Sequence, residues 1–141
     1  MNAIATTNTN KQIVQHIHAE LARGNGRPFI ESLAEDFRWI MKGRTAWSGT
    51  YEGRQAVQDR LLTPLYAQFE GRYRNIAESF IAEEDQVVVQ CRGEVGTKAG
   101  QRYDNEYCFI YRLAGGKIVA LTEYLDTALV DAVLEAPARA G

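Results

Sequence analysis

Residues 72–125 hold four runs rich in β-forming side chains, at 72–82, 86–95, 102–113 and 117–125, and this segment constrains the fold more than any other. Only Glu83-Glu84-Asp85, the stretch around Ala99-Gly100, and Ala114-Gly115-Gly116 separate the runs. Connections this short join neighbouring antiparallel strands, because a parallel crossover needs roughly a dozen residues or more. The segment is expected to form a four-stranded meander, and its apolar positions require a second layer.

That layer is legible upstream and downstream. Ile13, Val14, Ile17 and Leu21 recur at helical spacing over 11–23, and Gly24-Asn25-Gly26 stops the helix. Pro28 opens a short second helix that carries Phe29, Ile30 and Leu33 inward. Alternation over 37–41 predicts a strand with Phe37, Trp39 and Met41 on one face. Residues 43–53 read as a loop. A further helix places Ala56, Val57, Leu61, Leu65 and Phe69 on its buried side, with Pro64 expected to kink or split it. Asp126 caps a last helix running to Glu135. The fold class is α+β, in one domain spanning 1–141, with residues 1–10 and 137–141 expected to fray.

At 141 residues, 45% hydrophobic and 24% charged, the chain can bury a core without disulfides or metals. A net charge of -2 with no basic stripe argues against a nucleic-acid partner. No apolar run approaches a membrane span, and the polar start lacks a leader pattern, so a cytoplasmic location is expected. There is no phosphate-cradling glycine loop and no paired Cys/His spacing, so neither cofactor nor metal is expected. Cys91 and Cys108 read as free thiols.

Hairpin counting sets a register. A two-residue turn at Ala99-Gly100 pairs Lys98 with Gln101, which puts Arg92 opposite Tyr107 and Cys91 opposite Cys108. A three-residue loop at 114–116 pairs Leu113 with Lys117, which puts Tyr107 opposite Glu123. Arg92, Tyr107 and Glu123 then form a row on one face, shared with Gln90, Glu94, Asn105, Phe109, Tyr111 and Leu121. The aromatic residues require that face to lie under the helices. Polar groups covered in this way need partners or a ligand. Two readings stay open: an Arg92–Glu123 ion pair that compensates itself, or a pair that grips a ligand. The opposite face, with Val87, Val89, Cys91, Cys108, Ile110, Ile118, Ala120 and Tyr124, is too apolar for water, and a homodimer is its simplest cover.

Leu33-Ala34-Glu35-Asp36, the run from Gly49 to Val57, Gly115-Gly116-Lys117-Ile118 and Glu123-Tyr124-Leu125-Asp126 together resemble the nuclear transport factor 2-like superfamily, in its SnoaL-like and ketosteroid isomerase-like branch. The resemblance implies a cone-shaped fold. N-terminal helices would pack on a strongly curved antiparallel sheet, with a C-terminal helix, a deep cavity and a dimeric habit. Glu123 matches the last-strand acid of limonene-epoxide hydrolases. The position of the ketosteroid isomerases' general base falls near Met41, and their first-helix tyrosine falls near Ile17. His18 falls where other members line the cavity; as a lone helix histidine it otherwise reads as partly exposed.

The functional expectation is a small apolar molecule bound in the cavity. As an enzyme, the protein would be a cofactor-free isomerase, cyclase, dehydratase or hydrolase. Glu123 and His18 would then move protons, Arg92 would stabilise negative charge, and Tyr107, Asn105, Trp39, Met41, Glu94, Gln90, Phe109 and Leu121 would line the substrate. The alternative is a ligand-binding or dimeric interaction domain without turnover.

Overall fold

The computed structural model describes residues 3–137. Helix α1 (Ala3–Leu21) and the five-residue α2 (Arg27–Glu31) lead into β1 (Leu33–Met41) and the short β2 (Gly49–Glu52). A helical stretch follows as α3 (Arg54–Ala56), a π-helical segment (Val57–Leu62) and α4 (Thr63–Tyr66). The meander is β3 (Phe69–Glu83), β4 (Gln86–Thr97), β5 (Glu106–Ala114) and β6 (Lys117–Leu125), and α5 (Thr127–Val133) ends the order.

The six strands form one sheet in the order β2-β1-β6-β5-β4-β3. The meander is antiparallel as expected, while β1 joins it parallel to β6 and makes the sheet mixed. Register shifts interrupt β3 against β4 and β5 against β6. Such bulges bend the strands and curve the sheet around its helical cover. Val14, Ile17, Phe29, Val57 and Leu61 from the helices meet Phe37, Val89, Tyr111 and Leu121 from the sheet in one buried cluster.

Four local expectations need correction. Residues 3–10, expected to fray, form the first turns of α1, where Asn10 is buried and Thr7 donates to the Glu84 carbonyl at 2.8 Å. The remaining positions of the expected tails, 1–2 and 138–141, lie outside the described residues, and Pro137 belongs to no regular element. The loop at 43–53 contains β2, which pairs with β1 through Trp39 opposite Tyr51. Residues 102–105 precede β5 instead of opening it. Finally, Asp126 caps α5 by accepting from the Ala128 and Leu129 amides, but the helix stops at Val133.

Pro64 acts through winding more than through a break. It lacks the N–H that would bond back to residue 60, and its ring crowds that carbonyl. The preceding Val57–Leu62 segment opens to π geometry, and Pro64 sits in the first turn of α4. Val57, Leu61 and Leu62 stay buried through this change.

The register differs from hairpin counting at both turns. Between β4 and β5 the loop has three residues, Lys98 to Gly100: the Thr97 amide donates to the Gln101 carbonyl at 2.7 Å, with Gly100 at φ 85. One extra residue puts Cys91 opposite Tyr107 and Arg92 opposite Glu106. A one-residue slip exchanges the two faces of a strand. Val87, Val89, Cys91 and Val95 therefore point into the core, and Gln90, Arg92 and Glu94 go to the outer face. Between β5 and β6 the turn is the two-residue Gly115-Gly116, and a bulge adds another step, so Glu123 faces Phe109 and Tyr107 faces Leu125. Beyond the bulge the net slip is two residues, which keeps Leu121, Glu123 and Tyr124 on their expected faces; before it the slip is one, so Ile118, expected on the outer face, lies opposite Leu113 and is buried in the core.

Candidate functional site

Glu123 lies on β6, flanked by Phe109 on β5 and Met41 on β1. Its residue is 4% exposed, and Oε1 accepts the Trp39 indole N–H at 2.8 Å. Oε2 makes no protein hydrogen bond, yet no buried polar side-chain atom among the described residues is sealed without a partner. Oε2 therefore opens on space. That space is a cavity of about 60 Å³ between the sheet and the helices. Trp39, Met41, Phe109 and Tyr107 wall the sheet side, and Leu61, Leu62, Leu65, Val130 and Leu134 close the helical side.

The cavity is aromatic and carries no cation: among its lining residues Glu123 is the only acid, and none is Lys, Arg or His. Burial raises the Glu123 carboxyl from the ordinary range to about 7, against the opposing pull of the Trp39 hydrogen bond. A carboxyl poised there can both take and return a proton at neutral pH. Tyr73, Tyr103 and Tyr107 add phenols to the wall. Burial pushes Tyr103 up to about 12 and raises Tyr73 and Tyr107 as well. These phenols stay protonated and serve as hydrogen-bonding groups. Gly93 makes room for them, since a Cβ there would lie 2.9 Å from the Tyr73 ring and 3.3 Å from that of Tyr107.

His18 is buried one layer behind the cavity. Its Nδ1 lies 3.0 Å from Asn75 Oδ1 and its Nε2 lies 2.8 Å from the Tyr111 hydroxyl. Asn75 turns its amide N–H toward the Tyr73 hydroxyl at 3.2 Å, so its oxygen faces His18 and the ring carries its proton on Nδ1. Tyr111 then donates to Nε2. Burial lowers His18 to about 4, with the Asn75 bond opposing, so the imidazole is neutral at physiological pH.

Of the residues singled out by sequence, Glu123, Tyr107, Trp39, Met41 and Phe109 come together around the cavity. Leu121 is buried on the same face but packs beneath the cavity wall. Asn105 is engaged in scaffold: it accepts from the Glu106 and Asp126 amides and donates to the Asp126 carbonyl and the Tyr103 hydroxyl. Gln90, Arg92 and Glu94 are absent from the cavity. Arg92, its side chain 44% exposed, pairs with Glu94 at 2.6 Å on the outer face, and Gln90 accepts from Ser79. The expected Arg92–Glu123 pair does not form, because the odd-residue loop turned β4 over. Cys91 and Cys108 fall on opposite faces for the same reason and are free; burial lifts the Cys91 thiol to about 12.

Sequence reasoning missed Tyr73, Asn75 and Tyr103, which join the site from β3 and the pre-β5 segment. Gly93, a lone glycine inside a strand pattern, was the available signal of close approach. Among the described residues no group of three or more His, Cys, Asp or Glu converges on a metal position. Among the described residues no helix is long and apolar enough to cross a membrane.

A family model described as a SnoaL-like domain matches residues 14–121. No curated protein sequence matches the chain. Among solved structures, a candidate SnoaL-like polyketide cyclase from Jannaschia sp. CCS1 is 21% identical, with a TM-score of 0.73 over 94% of this chain and 95% of that one. An NTF2-like protein from Burkholderia xenovorans LB400 is 26% identical, with a TM-score of 0.70 over 92% and 98%. TerC, co-crystallized with polyporic acid, is 19% identical, with a TM-score of 0.71 over 89% and 97%.

Proposed function

The chain belongs to the SnoaL-like family, and on that footing we propose that it binds a small, largely apolar molecule between sheet and helices and moves a proton on it with Glu123. The supporting observation is the half-engaged carboxyl: Trp39 holds one oxygen, the other opens on the cavity, and burial has brought the group near neutrality. The reaction would be of the isomerase, cyclase, dehydratase or hydrolase kind. The substrate would be neutral at the carboxyl, because no cation lines the cavity to balance an anion there. A carbonyl or hydroxyl would find donors in the phenols of Tyr73, Tyr103 and Tyr107. His18 and Arg92 have no proton-transfer role in this reading, since neither borders the cavity.

Deuterium exchange at the α-carbon of small cyclic ketones, followed by NMR in D2O, tests the proton transfer. The protein should accelerate exchange with a rate inflection near the Glu123 value of about 7. Glu123→Gln, which keeps the Trp39 contact, should lower the rate about a hundredfold. Equal rates for the two proteins would remove the acid–base reading. Turnover-free binding is the second reading, and the small volume of about 60 Å³ favours it. It predicts saturable binding of neutral aromatic probes with no exchange.

The outer sheet face is proposed to pair with a second copy in a cytoplasmic setting where both thiols stay reduced. Register aligns Ile81, Val88 and Ile110 there, and Tyr124 is exposed nearby. Val88→Lys with Ile110→Lys should convert a dimer to a monomer by light scattering; a wild-type monomer would refute the pairing.

A further inference from the structure

The cavity is small against the roughly 300–1,000 Å³ of ordinary ligand sites. It has a neighbour. A groove of about 440 Å³ runs between the Gly24–Gly26 loop and the start of β3, and it shares Leu21, Tyr66, Phe69 and Tyr73 with the cavity. Tyr66 stands on this shared boundary at the end of α4, 48% exposed. It is stacked on Tyr73 with centroids 6.2 Å apart and tilted on Phe69 at 5.6 Å, and its hydroxyl has no hydrogen-bond partner among the described residues. A ring held by stacking alone can swing by a side-chain rotation without breaking a polar contact.

The groove differs from the cavity in charge. Arg72 is the only charged residue lining it. The stem of Arg72 lies across Gly24, where any β-carbon would collide with the Arg72 methylenes. Among the described residues the guanidinium has no ion-pair or hydrogen-bond partner. The cavity thus has an acid at its base and no cation, whereas the groove outside it has a cation and no acid.

We propose that cavity and groove form one ligand site gated by the Tyr66 ring, and that it takes an elongated apolar molecule with a neutral hydroxyl or carbonyl at one end and an anionic group at the other. The neutral end lies against Glu123 and the phenols, the apolar body passes Tyr66, and the anion meets Arg72. This rests on the binding reading above and adds the length and polarity of the ligand. Opening Tyr66 joins the two volumes into one of ordinary ligand size.

The test uses 2-naphthol and 6-hydroxy-2-naphthoate, a fluorescent pair that differs only by the distal carboxylate, with the full-length protein at low ionic strength. The naphthoate should bind more tightly than the naphthol. Arg72→Gln should weaken the naphthoate roughly fivefold, the size of one exposed charge contact, and leave the naphthol within twofold. High salt should erase the same difference in the wild type. In stopped-flow experiments Tyr66→Ala should speed both association and dissociation of the naphthol about tenfold, while Tyr66→Phe should behave as wild type. If the naphthol fails to bind the wild type, the binding reading falls and this inference with it. If the naphthol binds but Arg72→Gln leaves the naphthoate unchanged, or Tyr66→Ala leaves the rates unchanged, this inference alone is overturned.

Discussion

Glu123 and His18 are both deeply buried ionisable side chains, 4% and 1% exposed, and the protein treats them in opposite ways. Both ring nitrogens of His18 are engaged, by Asn75 and Tyr111. Glu123 has one oxygen engaged by Trp39 and one left open. A buried polar group with all its partners is scaffold, and one with a vacancy facing a cavity is equipped to meet something else. Burial alone does not separate site from core here; completeness of hydrogen bonding does.

Removing His18 breaks the comparison most violently. His18→Leu strands Asn75 Oδ1 and the Tyr111 hydroxyl, and should cost about 3 kcal/mol in urea denaturation. A loss below about 1 kcal/mol would show that the chain through Asn75 to Tyr73 is not structural.

Proton linkage sharpens the contrast. Glu123 has a folded value of about 7 above its ordinary 4.5, so its contribution is full below 4.5 and is lost as pH rises through 7. His18 has a folded value of about 4 below its ordinary 6.5, so its contribution is full above 6.5 and is lost as pH falls through 4. Between pH 4.5 and 6.5 the two slopes oppose, and wild-type stability should be nearly level. Glu123→Gln should unmask the histidine, with stability rising by about 1.4 kcal/mol per pH unit over that window. A level curve for the variant would contradict the burial of neutral His18. The smallest effect belongs to Arg92→Gln, which removes only outer-face ion pairs with Glu94 and Glu78 and should leave the denaturation midpoint and probe binding unchanged.

Most element types, the inward direction of β5 and that of β6 from Leu121 onward were legible in the sequence, because period-two patterning survives an even register error; β2 and the inward face of Ile118, ahead of the β6 bulge, were not. Glu123 was found that way, although its counted partner Tyr107 is two residues from its actual partner Phe109. Arg92 was misplaced because the loop Lys98 to Gly100 holds three residues, and an odd slip reverses a strand. The pattern of β4 contained the correction: Val87, Val89, Cys91 and Val95 form a better inward set than Gln90, Arg92 and Glu94. The Tyr73–Asn75–His18 chain was out of reach, since it spans α1 and β3 and depends on side-chain reach that periodicity does not carry.

The strand that carries Glu123 has a hydrogen-bonded neighbour on each side, β5 and β1. The Lys42 amide adds a 2.9 Å bond to the Glu123 carbonyl itself. The floor of the cavity should therefore be among the slowest regions to exchange amide hydrogens, and it will not reshape itself around a guest. Compliance belongs to the opposite wall, where Leu61 and Leu62 hang from the π-wound turn ahead of Pro64. A helix already off its regular winding has slack to give, so guests of different girth would be accommodated by shifts of Val57–Leu62 while the proton-handling carboxyl holds its aim.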